Sequence, residues 1–268
     1  MTTLNNGVAV PVLGLGTYRT RPGRETRDAV RWALEDGYRH IDTARVYRNE
    51  VDVGAAVKDS GLRREDLFIT TKLWNADQGF DKARRACERS LRDLDLEYVD
   101  LYLMHWPVTE KRLESWRAME SLLAEGACRA IGVSNFTVAH LEQLLEVASV
   151  VPAVNQVESS PFLYQRGLLD ACRKSGIKVE AYSPLTRGRR LTDARLIAIA
   201  ADHGKTTAQV LIRWALQHGL IAIPKSVHRR RIAENRDVFD FELSVEEMGR
   251  LDGLHEDLHV AWDPGDVP

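Results

Sequence analysis

Residues 67–73, LFITTKL, and residues 98–105, YVDLYLMH, decide the fold of this chain. Both are short runs of Ile, Leu, Val and Tyr with little polar alternation, the pattern of parallel strands covered by helices. Similar runs occur at 12–15, 40–42, 130–134, 154–158, 178–182 and 221–224, which makes eight strands in all. Amphipathic helices alternate with them. Helix 25–36 is closed by Gly37 and helix 50–60 by Gly61, since glycine accepts the left-handed conformation just past a helix end. Thr206 with Gln209, and Ser244 with Glu247, have capping-box spacing, and Leu243 with Met248 supplies a hydrophobic staple. Eight β/α units in one chain of 268 residues point to an α/β fold of the (β/α)8 TIM-barrel type. A doubly wound sheet would also alternate, but strand count and the lack of a composition break favour a single barrel domain over residues 1–268. Helix 244–254 and the tail to Pro268 lie beyond the eighth unit.

The bulk numbers exclude several classes. Hydrophobic content of 44% and charged content of 28% are those of an ordinary globular protein. A formal net charge of −2 gives no reason to expect a polyanionic partner such as nucleic acid. Cys87, Cys128 and Cys172 match no metal-ligand spacing, so no metal is expected. They read as reduced thiols, with Cys87 and Cys172 in helices and Cys128 in the connection before a strand. The N-terminus lacks a basic segment leading into an apolar stretch, and no apolar run could span a bilayer. The expected setting is the cytoplasm, away from membranes.

Four residues carry the chemistry. Asp42, Tyr47, Lys72 and His105 each fall at or just past the C-terminal end of an expected strand, where barrel enzymes keep their reactive groups. Carbonyl reduction needs a hydride donor, a proton donor for the developing alkoxide and a group that positions the oxygen. Tyr47 is the candidate acid. Lys72 is expected to lower the phenol's proton affinity, Asp42 to keep Lys72 charged, and a neutral His105 to orient the carbonyl oxygen. Singly, each has a bland reading: a capping tyrosine, a packed turn histidine, a structural ion pair. All four bland readings holding at four strand ends is improbable. The fragment LGLGT, 13–17, imitates a dinucleotide glycine motif but lacks the third glycine and the acidic ribose ligand.

The settings of these residues, GYRHIDTARVYRNE at 37–50, ITTKLW at 69–74 and DLYLMHWP at 100–107, resemble the aldo-keto reductase superfamily. The resemblance runs from the first strand almost to the C-terminus. It implies a hairpin at 4–10 closing the barrel bottom and NADPH lying extended across the barrel mouth. It places Gly16 and Thr17 against the cofactor and assigns Ser134, Asn135 and Gln156 to the nicotinamide carboxamide, with Tyr182 stacking on the ring. Asp42, Ser183, Leu185 and Val227 join that cradle by the same resemblance. In IPKSVHRRRIAEN, 223–235, it gives Lys225 and Arg231 to the adenosine 2′-phosphate and Glu234 and Asn235 to the adenine, with Ser226 among the cofactor-binding residues between them. Two cations on an extra phosphate argue for NADPH over NADH. His228 stands where the family often has Thr or Arg.

Tyr18, Val46, Trp74, His105 and Trp106 match the walls of the family's substrate pocket, with Tyr18 replacing a common Trp. The connections 107–113 and 185–193 are short, which resembles the bacterial 2,5-diketo-D-gluconate reductase branch and implies an open site. Arg187 and Arg189 in TRGRR suit the cofactor pyrophosphate, and Trp262 in the tail is placed as a lid contact. The function that follows is NADPH-dependent reduction of small aldehydes and ketones by a monomer. Keto-sugar acids, methylglyoxal and β-keto esters are the expected substrates. Two other classes remain open at this point. One is a non-catalytic NADPH-sensing subunit; the other is a lyase using Lys72 as a Schiff-base nucleophile, which would need an uncharged amine.

Overall fold

The computed structural model describes residues 1–267; Pro268, the end of the expected tail, lies outside the described residues. Eight parallel strands follow one another in chain order around one sheet: β1 (Leu15–Gly16), β2 (His40–Asp42), β3 (Phe68–Leu73), β4 (Val99–Met104), β5 (Cys128–Ser134), β6 (Val154–Glu158), β7 (Lys178–Tyr182) and β8 (Ile221–Ala222). A parallel bridge from Leu13 to Ala222 closes the ring, with Gly14 N–H donating to Ala222 O and Ala222 N–H to Val12 O, both at 2.9 Å. The expected barrel is therefore what forms.

Three boundaries differ from the sequence reading. The first strand was expected at 12–15; residues 12–14 bond to the eighth strand, and the ladder to β2 starts only at Leu15. The last strand keeps ladder geometry over Ile221–Ala222 rather than to residue 224, where proline has no N–H to donate. Cys128 opens β5, opposite Val99, instead of sitting in the connection before it. All three cysteines are free and buried, and burial pushes the Cys87 thiol up to about 12.

Helices α1 (Arg24–Glu35), α2 (Glu50–Asp59), α3 (Phe80–Leu94), α4 (Arg112–Ala124), α5 (Val138–Leu145), α6 (Arg166–Lys174), α7 (Ala194–Asp202), α8 (Thr207–Gln217), α9 (Arg229–Arg236) and α10 (Val245–Asp252) make up the helical layer. Both expected capping boxes are present, at Thr206 and Ser244, and a third forms at Thr137 with His140.

Strand alternation divides the core into two. Ile41, Ile69, Leu73, Tyr102, Met104, Ile131, Val133, Val179 and Ala181 belong to the large core shared with the helices. Phe68, Leu101, Leu103, Ala130, Val154 and Ile221 form a second, smaller core with Leu4 and Val10 of the N-terminal segment. That segment is a two-stranded hairpin, Thr2–Thr3 against Ala9–Val10. The barrel is therefore plugged with hydrocarbon at one level, and the inward positions further along the strands are left for polar groups. Gly132 helps keep the wall tight: a Cβ there would come within 2.5 Å of the Val154 carbonyl.

Candidate active site

The polar layer begins where β2 and β3 run side by side. Asp42 pairs in register with Thr70, and Lys72 lies two residues further on, facing the same interior. Lys72 is fully buried. Its Nζ donates to both Asp42 oxygens at 2.7 Å and to the Thr43 carbonyl at 2.8 Å. An ammonium has three N–H bonds, and here all three are taken. Lys72 has no lone pair to offer a carbonyl carbon, which removes the basis for a Schiff-base lyase.

Tyr47 closes a single helical turn, Arg45–Tyr47, just beyond β2. Asn49 anchors that turn from below: its Nδ2 donates to Thr17 O and Thr20 Oγ1, and its Oδ1 accepts from Thr43 Oγ1. The half-buried phenol ring lies 5.8 Å from the His105 ring and 5.2 Å from Lys72 Nζ. Tyr18 approaches it to 5.1 Å and Trp74 approaches His105 to 5.4 Å. Val46 and Trp106 are half-buried beside them. The four tetrad residues thus converge on one mouth with Tyr18 and Trp74 of the expected pocket walls.

The electrostatics correct one expectation. Burial, followed by the Asp42 charge, holds the Tyr47 phenol well above its ordinary value. Lys72 gives the phenol no hydrogen bond, because its three N–H groups are taken by Asp42 and the Thr43 carbonyl. Burial and the Lys72 charge push His105 well below its usual range, so its imidazole is neutral as expected. Burial pushes Asp42 up, while Lys72 and the Gln156 amide oppose that shift.

The expected cofactor cradle lines the same mouth. Ser134 Oγ donates to Gln156 O, Asn135 Nδ2 donates to His105 O, and the Tyr182 hydroxyl donates to Asn135 Oδ1 at 2.8 Å. Thr17 and Gly16 lie where β1 meets β2 and β8, through Thr17 N–H to Asp42 O and Gly16 N–H to Pro224 O. Ser183, Leu185 and Val227 are half-buried on the loops after β7 and β8. Ser226 accepts from His228 N–H just ahead of α9. Lys225 and Arg231 are exposed there and make no ion pair among the described residues, whereas Arg229 reaches Glu35. Asn235 is buried on α9, with Glu234 half-buried beside it. Arg19, Arg48, Asn135, Ser183, Thr186 and Arg187 all take left-handed backbone angles, with φ between 48° and 63°. Six non-glycine residues in that sparsely populated region, all on loops at one end of the barrel, mark a site shaped for a ligand. A dinucleotide phosphate fits: two unpaired cations at a helix start, a free carbonyl oxygen on Gln156, and an aromatic ring at Tyr182.

Residues 12–256 match the Aldo/keto reductase family. The chain belongs to that family. The glyoxal reductase of Bacillus subtilis (strain 168) is 50% identical over 264 residues, covering 98% of this chain and 96% of that protein. MGS-M4, an aldo-keto reductase from a Medee basin deep-sea metagenome library, superposes with a TM-score of 0.97 at 44% identity and full coverage of both chains, 100% each. A Bombyx mori aldo-keto reductase in complex with NADP gives a TM-score of 0.93 at 38% identity, covering 100% of this chain and 97% of that one. This aldo-keto reductase is an NADPH-dependent oxidoreductase of small carbonyl compounds. Among its described residues no helix is long and apolar enough to cross a membrane, and no group of His, Cys, Asp and Glu could hold a metal ion.

Two buried carboxyl groups, Glu158 and Glu180, were not singled out from the sequence. Glu158, at the end of β6, accepts the N–H groups of Val260 and Ala261 at 2.8 and 2.9 Å and straps the tail across the barrel. The same stretch of tail brings the Trp262 ring to 4.8 Å from that of Trp106. Glu180, fully buried on β7, accepts from Gln156 Nε2 at 2.6 Å. A signal for it existed: an acid at an inward position of the run KVEAY, on a strand otherwise covered by hydrocarbon.

Proposed function

We propose that this enzyme reduces small, open-chain carbonyls by proton donation from Tyr47, with Asp42, Lys72 and His105 as its partners. The observation that carries this is the approach of the Tyr47 and His105 rings, 5.8 Å apart, over a lysine whose every N–H is committed to holding Asp42 and the Thr43 carbonyl. Bound NADPH supplies the hydride. Neutral His105 donates a hydrogen bond to the carbonyl oxygen, and Tyr47 protonates that oxygen as charge develops on it. Lys72 and Asp42 act as a fixed, near-neutral pair that holds β2 and β3 in register beneath the phenol. Its proton affinity being high, Tyr47 stays protonated until the alkoxide, a still stronger base, forms.

Gln156, Asn135 and Ser134 take the carboxamide in this reading, Tyr182 stacks on the nicotinamide, and Gly16, Thr17, Ser183, Leu185 and Val227 line its course. Lys225, Ser226 and Arg231 hold the 2′-phosphate, and Glu234 and Asn235 meet the adenine. Tyr18, Val46, Trp74 and Trp106 wall the substrate, under Trp262. Short loops beside an aromatic mouth suit 2-oxoaldehydes such as methylglyoxal, keto-sugar acids of the 2,5-diketo-D-gluconate type and β-keto esters. The likeness to glyoxal reductase supports the first of these. The enzyme is proposed to be a cytoplasmic monomer built of one barrel domain.

The test is NADPH oxidation with that panel, wild type beside Tyr47→Phe. Loss of the acid is expected to lower kcat by roughly 10²–10⁴-fold with NADPH affinity retained. Undiminished turnover in Tyr47→Phe refutes the assignment. Tight NADPH binding without turnover of any carbonyl by the wild type would favour a sensing role.

A further inference from the structure

Beneath the tetrad lies a buried carboxyl that the reduction chemistry leaves unused. Glu180 sits in the middle of β7, in register with Gln156 on β6 and Ile221 on β8. Its Oε2 accepts from Gln156 Nε2 at 2.6 Å, and the same nitrogen donates to Asp42 Oδ2 at 2.8 Å. Its Oε1 has no hydrogen-bond partner and stands 3.5 Å from His40 Nε2. The ionisable groups facing it are His40 and Asp42 from β2 and Lys72 from β3, with Tyr47 at the mouth above; β8 offers only Ile221 and Ala222.

No cation hydrogen-bonds this carboxyl, and the Lys72 charge only partly offsets its burial. Burial pushes His40 down to about 3, so the imidazole is neutral, and the fold has made room for it: a Cβ on Gly14 would come within 2.8 Å of its ring. Lys72 has spent its three N–H groups on Asp42 and Thr43. A buried carboxylate with one orphan oxygen and a second carboxylate sharing its amide partner is costly, and taking up a proton relieves the cost. Burial, with the Asp42 charge next, raises Glu180 to about 8. A proton on Oε1 then lies on the side of His40 Nε2, 3.5 Å away, a nitrogen that also pairs with Thr70 Oγ1 at 3.1 Å. With its nitrogen held between two carboxyl groups, Gln156 turns its Oε1 away, and that oxygen has no partner among the described residues.

We propose that Glu180 is a positioning residue that works as a neutral acid: it sets the Gln156 carbonyl toward the nicotinamide carboxamide, and on losing its proton it biases the site from reduced toward oxidised cofactor. The inference rests on the reading of Gln156 as a carboxamide ligand. Its physical basis is charge. The nicotinamide ring of NADPH is neutral and that of NADP+ is cationic, so a second carboxylate under the mouth attracts only the oxidised ring. The same carboxylate strengthens the hold of Tyr47 on its proton. By linkage, binding NADP+ drives the proton off Glu180 to solvent, while binding NADPH does not.

Dissociation constants of NADPH and NADP+ from about pH 6 to about pH 9 test this, in wild type, Glu180→Gln and Gln156→Leu, read by fluorescence titration beside the pH profile of kcat/KM for methylglyoxal. Gln imitates the neutral acid and cannot ionise. In wild type the ratio of the NADP+ constant to the NADPH constant is expected to fall by up to about tenfold per pH unit through the ionisation, with kcat/KM for reduction falling over the same range. In Glu180→Gln the ratio is expected to be flat. The 2′-phosphate is common to both cofactors and cancels. Calorimetry of NADP+ binding in two buffers of different ionisation enthalpy reads proton release from the wild type alone, so the proposal stays testable if the variant does not fold. Equal slopes in wild type and Glu180→Gln, or no proton release near about pH 8, overturn the charge coupling. Unchanged NADPH affinity in Gln156→Leu overturns the positioning role together with the reading of Gln156.

Discussion

Glu180→Gln is also expected to change how folding stability responds to pH, independently of any cofactor. The carboxyl is raised from an ordinary 4.5 to about 8 in the folded chain. The folded state therefore binds this proton more tightly than the unfolded state. Its contribution is fully present below the unfolded value, declines as pH rises through the interval, and is gone above the folded value. Each pH unit in that window is worth about 1.4 kcal/mol, so the whole interval amounts to roughly 5 kcal/mol. That is a large share of a typical domain stability of about 5–15 kcal/mol. Urea unfolding of wild type and Glu180→Gln, followed by tryptophan fluorescence between about pH 5 and pH 8, measures it. The variant should gain on the wild type by about 1.4 kcal/mol for every pH unit, and the gap should stop widening above about pH 8. Parallel curves separated by a constant offset would mean that Glu180 is ionised in the fold and that another group balances its charge.

Further outcomes follow from the same geometry. Asp42→Asn leaves the Lys72 charge buried with a poorer partner and is expected to cost roughly 3–5 kcal/mol of stability. Lys72→Met should cost less, because Asp42 can take a proton, and the double variant should recover most of the Asp42→Asn loss; denaturant midpoints of all three decide it. Replacing Lys225 and Arg231 together by Ala tests the two charge-assisted contacts proposed for the 2′-phosphate. NADPH affinity should fall by roughly tenfold to a hundredfold or more while NADH affinity stays level, as read by titration of each cofactor. Glu158→Ala frees the Val260 and Ala261 N–H groups, so those two amides should exchange hydrogen faster and KM should rise more than kcat falls.

The barrel was legible because its evidence is local. Runs such as LFITTKL and YVDLYLMH, glycines past helix ends and paired capping residues each act within a few positions of chain, and each appears in the structure where it was read. Strand ends were less legible, since where a ladder starts depends on a partner far along the chain. Leu13 bonds to Ala222 before Leu15 bonds to Ile41, and nothing near Leu13 announces that change of neighbour. The tetrad was legible as residue types in specific settings. The proton affinity of Tyr47 was not, because it depends on burial at the barrel mouth and then on the Asp42 carboxyl that the fold brings beneath it.

By itself, the amino-acid sequence determined the fold class, the strand count, the family and the residues that meet at the barrel mouth. These rest on periodicity and short motifs, which survive without coordinates. Only the tertiary structure decided the charge arrangement: which carboxyl holds the lysine, which is left as an acid, and which straps the tail. Asp42, Glu158 and Glu180 are written with one-letter codes of the same chemistry. They differ in what faces them, a buried ammonium, two backbone N–H groups and a neutral imidazole. The free energy of a buried charge is set by those neighbours, which the barrel assembles from strands far apart in sequence.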